Sequence, residues 1–254
     1  MSDTSAVLTE EDVWYFKTNG FYHVRETLPE DLVDRLNAAT DREVEQMDEP
    51  IVWENRENRT PEGVRRLSKI LHRDPVYLEA ASHPIILDAL EEILGPDIEI
   101  LTNKHNHVMV KPGGAYPVPW HSGEQPYNPT LITALIYMEE ATIENGCIRL
   151  VPGSHNRPFR KDRRPQKQRD DFRDSENYYR SVPIPMQRGG VLLFDDCCFH
   201  GSDANRTRHS RRSLTIGYRA HDSHDVLKND PEKILARGEK TYTGHPHPFP
   251  YPKN

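Results

Sequence analysis

Cysteine is scarce in this chain. The three present, Cys147, Cys197 and Cys198, match no zinc-ligand spacing, and two of them are sequence neighbours. That pattern offers no disulfide framework, so we expect reduced thiols and a cytoplasmic location. Long apolar runs are missing too: no stretch approaches the roughly 18 residues that a membrane-spanning helix requires. The opening MSDTSAVLTEEDVW lacks the basic-then-apolar pattern of a secretory signal. No internal repeat and no linker divides the chain. Positive charge is in deficit, with a formal net charge of −7 and an isoelectric point near 6.0. This argues against a general binder of nucleic-acid polymers or anionic membranes and fits an enzyme with a small-molecule substrate.

What is present divides by hydrophobic period, within a chain of 254 residues that can form a single catalytic domain. In LTEEDVWYFKTNG, Thr9 precedes acidic first-turn residues and Gly20 follows the last apolar position, which predicts a short amphipathic helix. PEDLVDRLNAATDREVEQM, with Leu32, Val33, Leu36 and Ala39 at helical spacing, predicts a second, and SHPIILDALEEILG another before Gly95. The polar EPIVWENRENRTPEGVRRL between them reads as a loop. From Ile98 the period changes to two. Ile98, Ile100, Thr102, Val108 and Val110 share one parity, while Asn103, His105, His107 and Lys111 share the other, so one face reads as core and the other as a polar cavity. TLITALIYM, CIRLVP, GGVLLFDD and RRSLTIGYR are further strands separated by Pro, Gly and Asn turns. The expectation is a mainly β sandwich or barrel with flanking helices: a helical part over about 1–97, a β core over about 98–221 and a tail over about 222–254.

Two histidines stand out by position. His121 follows Trp120 in a Pro-bounded segment, and His200 ends the apolar run GGVLLFDDCCFH, where a strand would deliver it to a cavity rim. A single histidine among 13 carries little weight. The insertion RPFRKDRRPQKQRDDFRDSENYYR carries Arg160, Arg163 and Arg164 among other cations. It reads either as a solvated loop, the usual behaviour of a charge run, or as a lid offering cations to an anionic substrate.

The segments VKPGGAYPVPWHSGE, ENGCIRLVPGSHNRPF and GGVLLFDDCCFHGSDANRTRHSRRSLTIGYR, with LTEEDVWYFKTNGFYHV ahead of them, resemble the phytanoyl-CoA dioxygenase family of Fe(II)/2-oxoglutarate-dependent enzymes. The resemblance covers most of the chain. It implies a double-stranded β-helix, a cupin-like jelly roll, with Fe(II), 2-oxoglutarate and O2 as the chemical partners. By the family pattern His121 and His200 are metal ligands and Arg211 binds the far carboxylate of 2-oxoglutarate, for which a guanidinium fork is suited, with Ser202 adding a hydroxyl. Arg212, of opposite parity, should point away.

One position departs from the pattern. The family reads His-x-Asp, and this chain reads His121-Ser122-Gly123. The resemblance then points to the halogenase branch, in which the missing carboxylate leaves a place for chloride or bromide and a substrate radical takes up the halide. Two other readings stay open: a hydroxylase with Glu124 as an atypical third ligand, and a metal-free binding protein of the same fold. For the substrate, His105, His107 and the arginines at 160, 163 and 164 suggest a free anionic small molecule in natural-product biosynthesis. A nucleoside monophosphate such as dAMP, as in a nucleotide halogenase, leads, and the phosphopantetheine arm of a carrier protein is the alternative.

Overall fold

Thr9 starts the first helix, α1 (Glu10–Asn19), through a reciprocal capping box with Asp12, and Gly20 ends it in the left-handed conformation at φ 83°. The chain turns directly into β1 (Phe21–Thr27) and then α2 (Glu30–Gln46), whose buried stripe is Leu32, Val33, Leu36, Ala39, Thr40 and Glu43. Two Pro-initiated helices follow, α3 (Pro75–Ala81), capped by Asp74, and α4 (Pro84–Leu94). The computed structural model describes residues 8–55, 57, 59–123, 131–156, 179–223 and 232–239.

The remaining strands are β2 (Ile51–Trp53), β3 (Val64–Ser68), β4 (Ile98–Ile100), β5 (Asn106–Met109), β6 (Val118–His121), β7 (Ile132–Tyr137) and β8 (Ile148–Leu150). After them come β9 (Val182–Pro183), β10 (Gly190–Asp195), β11 (His200–Ser202), β12 (Ser213–Ala220) and β13 (Ile234–Arg237). They form two antiparallel sheets. The larger runs β1-β10-β7-β12-β5-β3-β2, with β4 added to β12 and β13 to β4; the smaller runs β6-β11-β8-β9. This is the double-stranded β-helix, with the helices on the outer face of the larger sheet.

Register explains which residues face which way. Leu192, Leu135, Thr215, His107 and Ser68 are successive partners across five strands and form one row of the larger sheet. The adjacent row, Leu193, Ala134 and Ile216, belongs instead to the core packed against the helices, with Leu36, Leu67, Ile86 and Leu90. On the inner side, Leu135, Tyr137, Leu192 and Phe194 meet Cys147, Ile148, Leu150 and Cys198. Strands buried on both faces read as continuous apolar runs, which is why TLITALIYM and GGVLLFDD do not alternate. Leu67 is fully buried in this outer core, and truncating it should cost about 2–5 kcal/mol.

The structure corrects two boundaries. The segment expected to be a loop between α2 and α4 contains β2 and β3, which pair with each other and bring β3 onto β5. Ile51, Val64 and Leu67 are its buried residues, and the polar hairpin tip between them masks the short apolar signals. The tail is also partly structural. β13 pairs with β4, and Arg237 reaches Glu91 at 2.7 Å as well as Asp88.

Candidate functional site

Adjacent antiparallel strands β6 and β11 make His121 and His200 direct partners in register. Their ring centroids lie 4.2 Å apart. Each ring is tied by Nδ1 to the carbonyl two residues earlier, Pro119 O at 2.8 Å and Cys198 O at 2.7 Å. A carbonyl oxygen can only accept, so Nδ1 carries a proton in both rings, and where the ring is neutral the lone pair lies on Nε2. That is the tautomer a metal ion needs. Burial, and then the neighbouring His121, hold His200 well below the ordinary imidazole range, so it is neutral at physiological pH. Behind the pair, Trp120 stacks on Phe199 at 6.1 Å and lies against Gly201, where a Cβ would come 3.2 Å from the indole.

Gly123 lies two residues beyond His121, and the space beside it is filled from another segment. Its N–H donates to the backbone oxygen of Asp196 at 2.6 Å. A Cβ at position 123 would stand 2.5 Å from Asp196 Cγ, closer than such atoms approach. The Asp196 side chain is 6% exposed and receives Lys104 Nζ at 2.5 Å and His105 Nε2 at 3.2 Å. His105 Nδ1 is 2.5 Å from the Thr133 hydroxyl. Burial is the main reason that the His105 imidazole is pushed down to about 4, so it is neutral. A neutral ring facing a carboxylate carries its proton on Nε2 and accepts from Thr133 at Nδ1. Among the described residues no three His, Cys, Asp or Glu side chains form a group that could hold a metal ion. Glu124, the atypical ligand considered from the sequence, lies outside the described residues.

A second polar cluster lies deeper between the sheets. Lys111 Nζ donates to Ser202 Oγ at 2.8 Å and to the carbonyls of Gly146 and Asp203 at 3.1 and 2.5 Å. Arg211 N–H donates to Lys111 O at 3.1 Å, and its guanidinium carbon lies 5.3 Å from the centre of the Tyr137 ring. Lys111 and Arg211 are both buried, at 1% and 4% exposure. Neither forms an ion pair among the described residues, and Arg211 Nε is buried without a hydrogen-bond partner. Burial, then the adjacent Arg211, push the Lys111 ammonium down to about 7. The Asp203 charge offsets part of that push, and buried cations without an ion-paired carboxylate are costly unless an anion joins them. A dicarboxylate such as 2-oxoglutarate fits this cluster, with the hydroxyl of Ser202 beside it. Arg212, one residue on, points the other way and pairs with Asp41 at 2.7 Å.

Close to His105, at 6.4 Å between ring centres, lies His107, with Arg66 on the neighbouring strand β3. His107 partners Thr215 and Ser68 in register and is held well below the imidazole range, chiefly by burial. Arg66 on β3 has a buried Nε without a hydrogen-bond partner, and its charge acts on both His105 and His107. Of the two substrate-side histidines expected from the sequence, His107 shares the inner row of the larger sheet with Thr215 and Ser68, and His105 is engaged with Asp196. Arg160, Arg163 and Arg164 lie outside the described residues.

Three residues escaped the sequence reading of the site. Lys111 shares the cavity parity of His105 and His107, and that was its signal. Asp196 had a weaker one, an acidic pair closing an apolar strand shortly before His200. Arg66 sits in a segment taken for a loop, where no strand period could assign it a face.

Comparison with known proteins adds the following. A family model described as phytanoyl-CoA dioxygenase matches residues 16–213. The human peroxisomal phytanoyl-CoA dioxygenase is 23% identical, covering 96% of this chain and 77% of its own. A Stutzerimonas stutzeri protein named as a probable alpha-ketoglutarate-dependent hypophosphite dioxygenase is 26% identical, over 91% of this chain and 84% of its own. Among solved structures, the non-heme alpha ketoglutarate dependent carbocyclase SnoK from nogalamycin biosynthesis superposes with a TM-score of 0.69 at 22% identity, covering 85% of this chain and 86% of its own. EctD from S. alaskensis, solved with 2-oxoglutarate and 5-hydroxyectoine, also gives 0.69, at 21% identity over 85% of this chain and 78% of its own.

Proposed function

From the premise that the chain belongs to the phytanoyl-CoA dioxygenase family of Fe(II)/2-oxoglutarate-dependent oxygenases, we propose that it hydroxylates an unactivated C–H bond of a small anionic molecule. The observation that carries this reading is the placement, between the same two sheets, of the facing pair His121 and His200 and of two buried cations, Lys111 and Arg211, that form no ion pair among the described residues. His121 and His200 would hold the iron through Nε2. Arg211, Lys111 and Ser202 would hold the far carboxylate of 2-oxoglutarate, the guanidinium acting as a fixed charge-assisted donor. When bound, iron and 2-oxoglutarate together supply the oxidising power that removes a substrate hydrogen. The chain's part is to orient these groups, exclude water through the apolar inner faces, and hold the substrate carbon near them.

For the substrate, the guanidinium of Arg66 beside His107 supports an anionic group, and the Stutzerimonas stutzeri relative is itself named for an anion, hypophosphite. A nucleoside monophosphate such as dAMP remains our candidate, and a carrier-bound substrate the alternative.

Halogenation is the second reading. It is favoured by the side chain missing at position 123 and by the lack, among the described residues, of a third donor closing on the histidine pair. Hydroxylation is preferred because the Asp196 carboxylate fills the space beside Gly123. The test is mass spectrometry of products from protein supplied with Fe(II), 2-oxoglutarate, O2 and candidate anions, with and without chloride or bromide. Succinate formed together with a product bearing one added oxygen supports the proposal. A halogenated product supports the second reading, and no substrate-stimulated succinate from any anion contradicts both.

A further inference from the structure

Polar side chains turned toward a protein interior normally find partners there, because a desolvated donor or acceptor left alone costs free energy. One strip on the inner face of the larger sheet departs from that rule. We infer that Arg66, Ser68, His107 and Thr215 form a substrate subsite for a hydroxylated oxyanion: Arg66 takes a carboxylate or phosphate, and the other three read hydroxyl groups next to it. This rests on the anionic-substrate reading and deepens it.

Three observations carry the inference. First, register puts the four side chains together. Ser68, His107 and Thr215 are partners across β3, β5 and β12, and Leu135, next in the row, packs in the inner core with Ile148 and Leu150. Arg66 precedes Ser68 by two positions on β3, so its side chain leaves on the same face. Second, none of the four is committed elsewhere. Among the described residues Arg66 forms no ion pair and its buried Nε has no hydrogen-bond partner, whereas the adjacent Arg65 reaches Glu54 at 3.3 Å. The ring nitrogens of His107 and the hydroxyls of Ser68 and Thr215 likewise make no hydrogen bond among the described residues. Burial, and then Arg65, push the Arg66 guanidinium down, with no carboxylate opposing them. Third, the strip opens onto an interior space near the histidine pair. His107 is desolvated enough to sit well below the imidazole range yet keeps part of its side chain accessible, as a ring lining a cavity does. The charge of His121 acts on it, as do those of His105 and Arg66.

The ligand class follows from the donor set. A guanidinium fork suits a planar carboxylate or a phosphate. A neutral imidazole donates from one nitrogen and accepts at the other, and each hydroxyl does both, which matches the hydroxyl groups of a substrate. A bare hydrocarbon chain laid along the row would leave these groups desolvated and unpaired, and sites that read a hydroxyl reject the analogue lacking it.

The test is calorimetric titration of the full chain, kept anaerobic with Fe(II) and saturating 2-oxoglutarate so that Lys111 and Arg211 are already occupied. The probes are gluconate and ribose 5-phosphate, which join an anion to hydroxyl groups, hexanoate, which lacks the hydroxyls, and ribose, which lacks the anion. At least one hydroxylated anion should bind about 10-fold or more tighter than hexanoate and ribose, the scale of one or two hydrogen bonds. Which of the two binds better tells carboxylate from phosphate. Arg66→Met should weaken that binding about 10-fold or more, the scale of a charge-assisted hydrogen bond, and Arg66→Lys should keep part of it. His107→Phe should erase the advantage of the hydroxylated anion over hexanoate. Unchanged 2-oxoglutarate affinity in all three variants guards against simple misfolding. Hexanoate bound as tightly as the hydroxylated anions, no binding of any probe, or wild-type affinity in Arg66→Met overturns the inference. His200→Ala separates it from the reading beneath: that variant should lose Fe(II) yet bind the preferred probe as the wild type does. If it keeps Fe(II), the metal centre is misassigned while the subsite stands.

Discussion

His121 and His200 face each other across one antiparallel strand pair, 4.2 Å between ring centres, and each is locked by its Nδ1 to the carbonyl two residues before it. The locks fix both rings and leave Nε2 as the atom each would offer to a metal. Replacing either ring by alanine should abolish 2-oxoglutarate turnover with little loss of fold. Succinate release and a thermal melt measure the two effects. Near-wild-type succinate in either variant would remove that histidine from the metal centre.

Arg211 and Lys111 should have separable effects on the co-substrate. Arg211→Ala removes a buried partner of a carboxylate, for which a loss of roughly 2–5 kcal/mol is usual. Its signature is a raised apparent KM for 2-oxoglutarate at unchanged substrate KM. Lys111→Met should raise the same constant, and an unchanged value in both variants would move the co-substrate elsewhere.

The Lys111 ammonium also predicts a pH dependence. In the protein without co-substrate it sits at about 7, far below an ordinary lysine, because of burial and then Arg211. A bound dianion favours the charged form, so binding takes up a proton above that pH and affinity falls as pH rises past about 7. Calorimetric titration of 2-oxoglutarate in buffers of different ionisation enthalpy measures the uptake. Lys111→Met should abolish both the uptake and the slope.

Much of this architecture was readable in the sequence, and the omissions have physical causes. α1 announced itself through Thr9 and Gly20 because caps are local chemistry, and the polar parity of His105, His107 and Lys111 is the inner face of β5 continued into its flanks. β2 and β3 were invisible because three- and five-residue strands around a polar tip carry too few apolar positions to show a period. Asp196 could not be found from spacing: its meaning depends on a cross-strand approach to Gly123, more than seventy positions away in the chain. The absence at 123 was readable, and the approach of Asp196 to it was not.

Arg66 should set substrate affinity. Arg66→Met keeps the stem that packs beside β5 and deletes the charge near His107. The expected result is a raised KM for an anionic substrate with 2-oxoglutarate affinity unchanged. Equal substrate KM in the variant and wild type would argue for a neutral substrate or for another anchor.

The central claim, an iron and 2-oxoglutarate centre built on His121, His200, Lys111 and Arg211, is tested most directly by one anaerobic titration. Purified protein receives Fe(II) and then 2-oxoglutarate while visible absorption is followed. The account predicts a charge-transfer band that saturates at one equivalent of iron in the wild type, vanishes in His200→Ala and needs far more 2-oxoglutarate in Arg211→Ala. A folded wild-type protein that gives no such band, or a band indifferent to His200, would contradict it.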